Sequence, residues 1–83
     1  MERIEAMAVF VAAVDEGSLS AAGRRLGMPL ATVSRKLSDL EAHLGARLLT
    51  RSTRRLVLTE AGRDYLAASQ DILERIDEAE KNA

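Results

Sequence analysis

The chain has no cysteine, no tryptophan, one proline, one histidine and only two aromatic residues, Phe10 and Tyr65, in 83 positions. Without cysteine there is no disulfide framework and no thiolate metal site, a usage compatible with a reducing cytoplasm. The single histidine, His43, stands near the end of a helical pattern with no partner ligands, so it is read as a surface residue facing the helix dipole. No apolar run approaches the ~18 residues a membrane span needs, and the acidic N-terminus lacks the form of a signal peptide. The expected protein is soluble and cytoplasmic, without membrane contact. A domain this short buries only about 60% of the surface its unfolded chain exposes, which leaves little room for a large internal active site. No nucleophile, base and metal set stands out either: Asp39 and Glu41 point in different directions on their helix, and the C-terminal acids look like a solvated face. Neither catalysis, a cofactor nor a metal is expected.

What is present is a helix-building composition. The apolar fraction of 47% is carried by Ala, Leu, Val and Ile. The net charge of −1 conceals an uneven distribution: residues 1–16 sum to −3, residues 17–58 to +6 and residues 59–83 to −4. The middle segment holds Arg24, Arg25, Arg35, Lys36, Arg47, Arg51, Arg54 and Arg55 against only Asp39 and Glu41. Such a local cation is the usual footprint of a surface that meets phosphate.

Periodicity predicts a first helix from about Arg3 to Glu16, with Ile4, Met7, Ala8, Val11 and Val14 on one face and Gly17 at the stop. Ser18 or Ser20 caps a short second helix, whose apolar face is Ala21, Ala22 and Leu26 and which ends at Gly27. Pro29 lies at the start of a third helix carrying the stripe Leu30, Val33, Leu37, Leu40 and Leu44, with Gly45 as its C-terminal cap. The period then changes, giving candidate strands Leu49 to Arg51 and Arg55 to Leu58 around Ser52, Thr53 and Arg54. Thr59 offers an N-cap to a last helix running to about Lys81, ~33 Å long and too long for a core of this size to cover.

Gly23, Gly27 and Val33 allow the second and third helices to cross closely at a tight turn, as a helix-turn-helix requires. Opposite its leucine stripe the third helix carries Ala31, Thr32, Ser34, Arg35 and Ser38, small enough to approach base edges, with Arg35 able to reach guanine or a phosphate. Leu30 and Ala31 offer apolar contact to thymine methyl groups. Arg51, Arg54 and Arg55 lie at the tip of the hairpin, placed as a wing on backbone or minor groove. Arg47 has two roles open, as a cation for DNA or as a partner of Glu41 or Asp39. The fold class expected is mainly α: a winged helix-turn-helix of three helices and a small β-hairpin over residues 1–58, followed by a linker helix over 59–83. On that last helix Tyr65, Ala68, Ile72, Leu73 and Ile76 are expected to pair two copies in a homodimer. The residues alone leave a second reading open, a winged-helix module that docks on protein.

The segments "FVAAVDEGSLSAAGRRLG" and "TVSRKLSDLEAHLGARLLTRSTRRLVLTEAG", followed by a long helix, resemble the N-terminal domain of LysR-type transcriptional regulators over nearly the whole chain. The resemblance rests on Val33-Ser34, Leu40-Glu41, Leu44-Gly45, Arg51, Arg54, Leu58-Thr59 and Gly62. It implies a double-stranded DNA operator as partner, a linker helix that joins two protomers, and an interrupted palindrome as the site. Where many members carry Ser-Gln-Pro-Ala before Val-Ser, this chain has Pro29, Leu30, Ala31 and Thr32, so the glutamine often used for base contact is missing. The family also carries an effector domain like the periplasmic binding proteins. None is expected within these residues, so a small-molecule effector would act only through a domain outside this chain.

Overall fold

Glu2 opens the first helix by turning its own carboxylate onto the backbone: it accepts from the N–H groups of Ile4 at 2.8 Å and Glu5 at 2.7 Å. Those two donors hold its carboxyl below the ordinary carboxylate range. In the computed structural model, which describes residues 1–51 and 55–83 and Arg51 by its backbone only, α1 runs Arg3–Glu16, α2 Leu19–Leu26 and α3 Leu30–Leu44. The strands are β1, Leu49–Arg51, and β2, Leu56–Leu58, and α4 spans Glu60–Lys81. The helix ends follow the local chemistry of the sequence. Gly17, Gly27 and Gly45 close α1, α2 and α3 in the left-handed region, while Ser18 and Thr59 cap α2 and α4 with their hydroxyls. Arg55 stands outside the strand expected to include it.

The buried face of α1 differs from the expected stripe. Ala6, Val9, Phe10 and Ala13 are buried together with Met7 and Ala12, whereas Ile4 is 40% exposed and Ala8, Val11 and Val14 are half-buried. Residues 6–14 are all apolar, so a period of three or four fits more than one face of this helix. The bulk of Phe10 decides between them: it is fully buried, with its ring centroid 5.6 Å from that of Tyr65 on α4 at a tilt of 52°. The stripe on α3 is also shorter than expected. Val33, Leu37 and Leu40 are buried, but Leu30 and Leu44 at its two ends are 51% and 40% exposed, outside the core cluster.

The turn from α2 to α3 depends on Gly23. A Cβ there would lie 2.6 Å from the Met28 carbonyl oxygen and 3.5 Å from Val33 Cγ2, and the Met28 N–H donates to the Gly23 carbonyl at 2.8 Å. The two strands pair antiparallel with Leu49 opposite Leu58, Thr50 opposite Val57 and Arg51 opposite Leu56. Behind them α4 is stitched to the segment that leads into β1. Thr59 donates its N–H to the Leu48 carbonyl at 3.0 Å and its hydroxyl to the Arg47 carbonyl. Gly62 then passes so close that a Cβ would stand 2.0 Å from the Leu48 carbonyl oxygen.

Along α4 the face turned to the core holds Gly62 and Ser69 buried, with Tyr65, Leu66, Leu73 and Ile76 half-buried and Ile72 38% exposed. Ala68, expected on the apolar stripe, is exposed, and Ser69 takes its place. The Ser69 hydroxyl is buried without a hydrogen-bond partner among the described residues.

Two substitutions test this packing. Gly62→Ala forces a methyl group onto a backbone carbonyl that the Thr59 N–H already fixes; it is expected to cost about 3 kcal/mol and lower the melting temperature by roughly 15 °C. Ser69→Ala removes a buried hydroxyl with no hydrogen-bond partner among the described residues, and is expected to raise stability by about 1 kcal/mol in the same melting experiment. A loss of stability at Ser69→Ala would mean that the hydroxyl has a partner.

Candidate nucleic-acid interface

With Val33, Leu37 and Leu40 turned inward, helical geometry leaves one continuous outer face on α3. Ala31, Arg35 and Ser38 are exposed along it, and Thr32 and Ser34 are half-buried at its border. Leu30 projects at the N-terminal end, next to Pro29, which caps the helix without a side-chain hydrogen bond. The structure therefore brings together all six residues singled out on this helix. Small side chains keep the surface low, and Arg35 is its basic residue, with Asp39 also exposed on this side of the helix.

Part of the positive charge counted along the middle of the chain is neutralised on folding. Arg25 lies 3.4 Å from both Asp15 and Glu16, and Lys36 pairs with Glu5 across α1 and α3. Arg47 approaches Glu41 at 3.9 Å, which settles the choice between Glu41 and Asp39. Among the described residues, Arg24 and Arg35 hold no ion pair. Arg24, exposed at the end of α2, was not among the expected contacts, because sequence spacing does not tell it apart from its paired neighbour Arg25. Arg55 is exposed just before β2, while the Arg51 side chain and the whole of Arg54 lie outside the described residues.

A cleft of about 340 Å³ separates α3 from the hairpin, lined by Leu19, Ser34, Leu37, Ser38, Glu41, Arg47, Leu49 and Leu56. Within it Glu41 Oε2 accepts the Leu48 N–H at 2.7 Å and the Leu49 N–H at 3.2 Å. A second, more apolar groove of similar size lies between α1, the end of α3 and α4. Ile4, Met7, Leu40, Leu44, Tyr65 and Ile72 line it together with Glu2, Arg3 and His43. His43 is exposed at its rim in the last turn of α3. Sequence reasoning missed Ile4 and Leu44 as parts of this surface, having placed them only on the apolar stripes of α1 and α3. No helix among the described residues is long and apolar enough to cross a membrane.

A helix pair joined by a glycine turn, backed by a third helix and followed by a two-stranded hairpin and one long helix, defines a winged helix-turn-helix protein. Residues 4–63 match the model of the bacterial regulatory helix-turn-helix proteins of the lysR family, and the chain belongs to that family. It is 51% identical over 80 residues to an HTH-type transcriptional repressor of Pseudomonas aeruginosa (strain UCBPP-PA14), covering 96% of this chain and 25% of that protein. It is 43% identical over 76 residues to the HTH-type transcriptional activator AaeR of Escherichia coli K12, with 92% and 25% covered. The chain thus spans about a quarter of the length of the curated relatives it matches. Among solved structures, the CbnR DBD–DNA complex superposes with a TM-score of 0.90 at 34% identity, over 99% of this chain and 93% of that one. The BenM DBD in complex with catB site 1 DNA gives 0.91 at 30% identity, over 98% and 86%.

Proposed function

We propose that this chain is the DNA-reading part of a bacterial transcriptional regulator and binds double-stranded DNA sequence-specifically. The observation that carries the proposal is the outer face of α3: small residues and an arginine with no ion pair among the described residues, on a helix whose inner face packs into the core and whose close crossing with α2 a glycine permits, in a fold shared with domains solved on DNA. In this reading α3 enters the major groove. Thr32, Ser34, Arg35 and Ser38 lie at base edges or phosphates there, and Leu30 and Ala31 lie against thymine methyls. Arg51, Arg54 and Arg55 hold the flanking backbone or minor groove from the wing.

Residues 1–58 form the reading unit and residues 59–83 the linker helix that joins two copies. Ile72 at 38% exposure, with Leu73 and Ile76 half-buried beside it, continues into the groove where Ile4 and Leu44 are each 40% exposed. An apolar surface of this continuity is covered in most stable proteins, and a second copy of α4 covers it here. Tyr65 lines the same groove while its ring also packs on Phe10 within the same protomer. The dimer then reads an interrupted palindrome with half-sites about one helical turn (~34–36 Å) or a multiple apart. Such a regulator works in the bacterial cytoplasm, and any small-molecule control enters through a domain outside these residues.

Selection of bound sequences from random duplexes, followed by titration of arginine variants, tests the reading. Arg35→Ala is expected to lose ~1–3 kcal/mol at one base position with relaxed preference there, whereas Arg54→Ala weakens all duplexes about equally and flattens the salt dependence. A protein-docking module would show no steep salt dependence on any duplex. For the dimer, Ile72→Glu with Ile76→Glu is expected to give a folded monomer in sedimentation that binds a half-site weakly and loses its preference for the full palindrome. A double variant that stays dimeric sinks the α4 contact.

A further inference from the structure

We infer that Glu41 is a positioning residue for DNA binding: its carboxylate, acting through the hairpin and not on the nucleic acid, fixes where the wing stands relative to α3. The inference rests on the DNA-binding function proposed above. Glu41 lies on α3 one turn beyond Leu37, on the same element as the candidate base-reading residues but outside their exposed face, with its side chain only 21% exposed. One of its oxygens takes the N–H groups of two consecutive residues, Leu48 at 2.7 Å and Leu49 at 3.2 Å. Leu48 is 2% and Leu49 8% exposed, so water has little access to these two donors if the carboxylate is withdrawn.

The position of this tie gives it leverage. Leu49 is the first residue of β1, so the carboxylate grips the wing at its root. Further out, the cleft lined by Ser34, Ser38 and Leu56 stands between α3 and the hairpin, and Glu41 lines the same cleft. The separation between the two DNA-facing elements is therefore set where Glu41 joins them. A carboxylate facing a polyanion is unfavourable unless its charge is satisfied within the protein. Here two backbone donors and the Arg47 guanidinium at 3.9 Å satisfy it, so the charge is committed to the protein and not to reading cytosine.

The absence of cysteine allows a direct test, because two introduced thiols are the only labelling sites. Asp39→Cys and Val57→Cys place spin labels on the exposed side of α3 and on the exposed middle residue of β2. In the free protein the label-to-label distance distribution is expected to be narrow, to broaden and shift in Glu41→Ala, and to be restored in Glu41→Gln, whose amide oxygen can accept both N–H groups. Glu41→Asp, one methylene shorter, gives the same broadening should Glu41→Ala fail to fold. On the selected duplex, Glu41→Ala is expected to keep the base preferences of α3 while its log–log salt dependence flattens by about one to two units, the loss of one or two phosphate contacts. Phosphate-ethylation interference should vanish at the wing and persist at α3. An unchanged distance distribution in Glu41→Ala, or a Glu41→Gln protein as broad as Glu41→Ala, overturns the inference. So does loss of preference at a single cytosine, which would make Glu41 a base reader. Failure of the unsubstituted chain to prefer any duplex sequence would overturn the DNA-binding proposal instead, and the label distances of the free protein would still decide the clamp.

Discussion

The peptide groups on either side of Leu48 are the point through which the helix-turn-helix, the hairpin and the long helix are joined. Its N–H goes to Glu41 on α3, its carbonyl accepts the N–H of Thr59 at the cap of α4, and its side chain is buried in the common core. The carbonyl also presses on Gly62, so α4 can begin only at the height and angle at which that contact is tolerated. Apart from the Glu41 carboxylate, each partner is a backbone group with little freedom to rearrange. A four-carbon or aromatic side chain in the place of Gly62 or Thr59 would leave three elements free to choose their own angles. The surface proposed to face DNA is assembled from two of those elements, so its shape depends on this junction.

The electrostatic character of the surface is sharper than the sequence charge suggests. Arg25 and Lys36 are turned to the acidic first helix and hold α2 and α3 against it, where exposed pairs of this kind contribute little to stability and mainly orient side chains. What this pairing achieves is selection. It pairs Arg25 and Lys36 with acids of α1 and leaves Arg35 exposed on the outer face of α3 and Arg24 exposed in the last turn of α2. Discrimination between sequences depends on a few well-placed donors, whereas a uniformly cationic surface would hold any duplex.

Much of this was legible in the sequence because it is local. A serine before a short helical pattern, a threonine before a long one and a glycine after each of three helices state their roles within three or four residues, and the structure places each where the spacing predicted. The outer face of α3 was legible for the same reason, since the inner stripe defines it. What failed was whatever depended on a distant partner. The nine consecutive apolar residues of α1 contain no information about which side meets α4, and only Phe10 against Tyr65 resolves it. The burial of Ser69, the exposure of Ile4, Leu30 and Leu44, and the pairing of Arg25 and Lys36 across helices are likewise set by tertiary placement. The glutamine missing at position 30 was visible from the sequence, and the structure adds that the leucine there stands in the open.

The long helix starts from a fixed cap, and its far end carries Ile72, Leu73 and Ile76, the residues proposed to pair two copies. An α-helix turns by about 100° for every residue, so one inserted or deleted residue between Gly62 and Ile72 would shift the pairing surface by only ~1.5 Å along the axis but swing it more than a quarter of the way around. The helix therefore acts less as a spacer than as a phase setting. In the proposed dimer, whole-turn changes of three or four residues would preserve the mutual orientation of the two reading heads approximately, and any other change would point them at different faces of the duplex. Length variation in this segment is constrained by angle before it is constrained by distance.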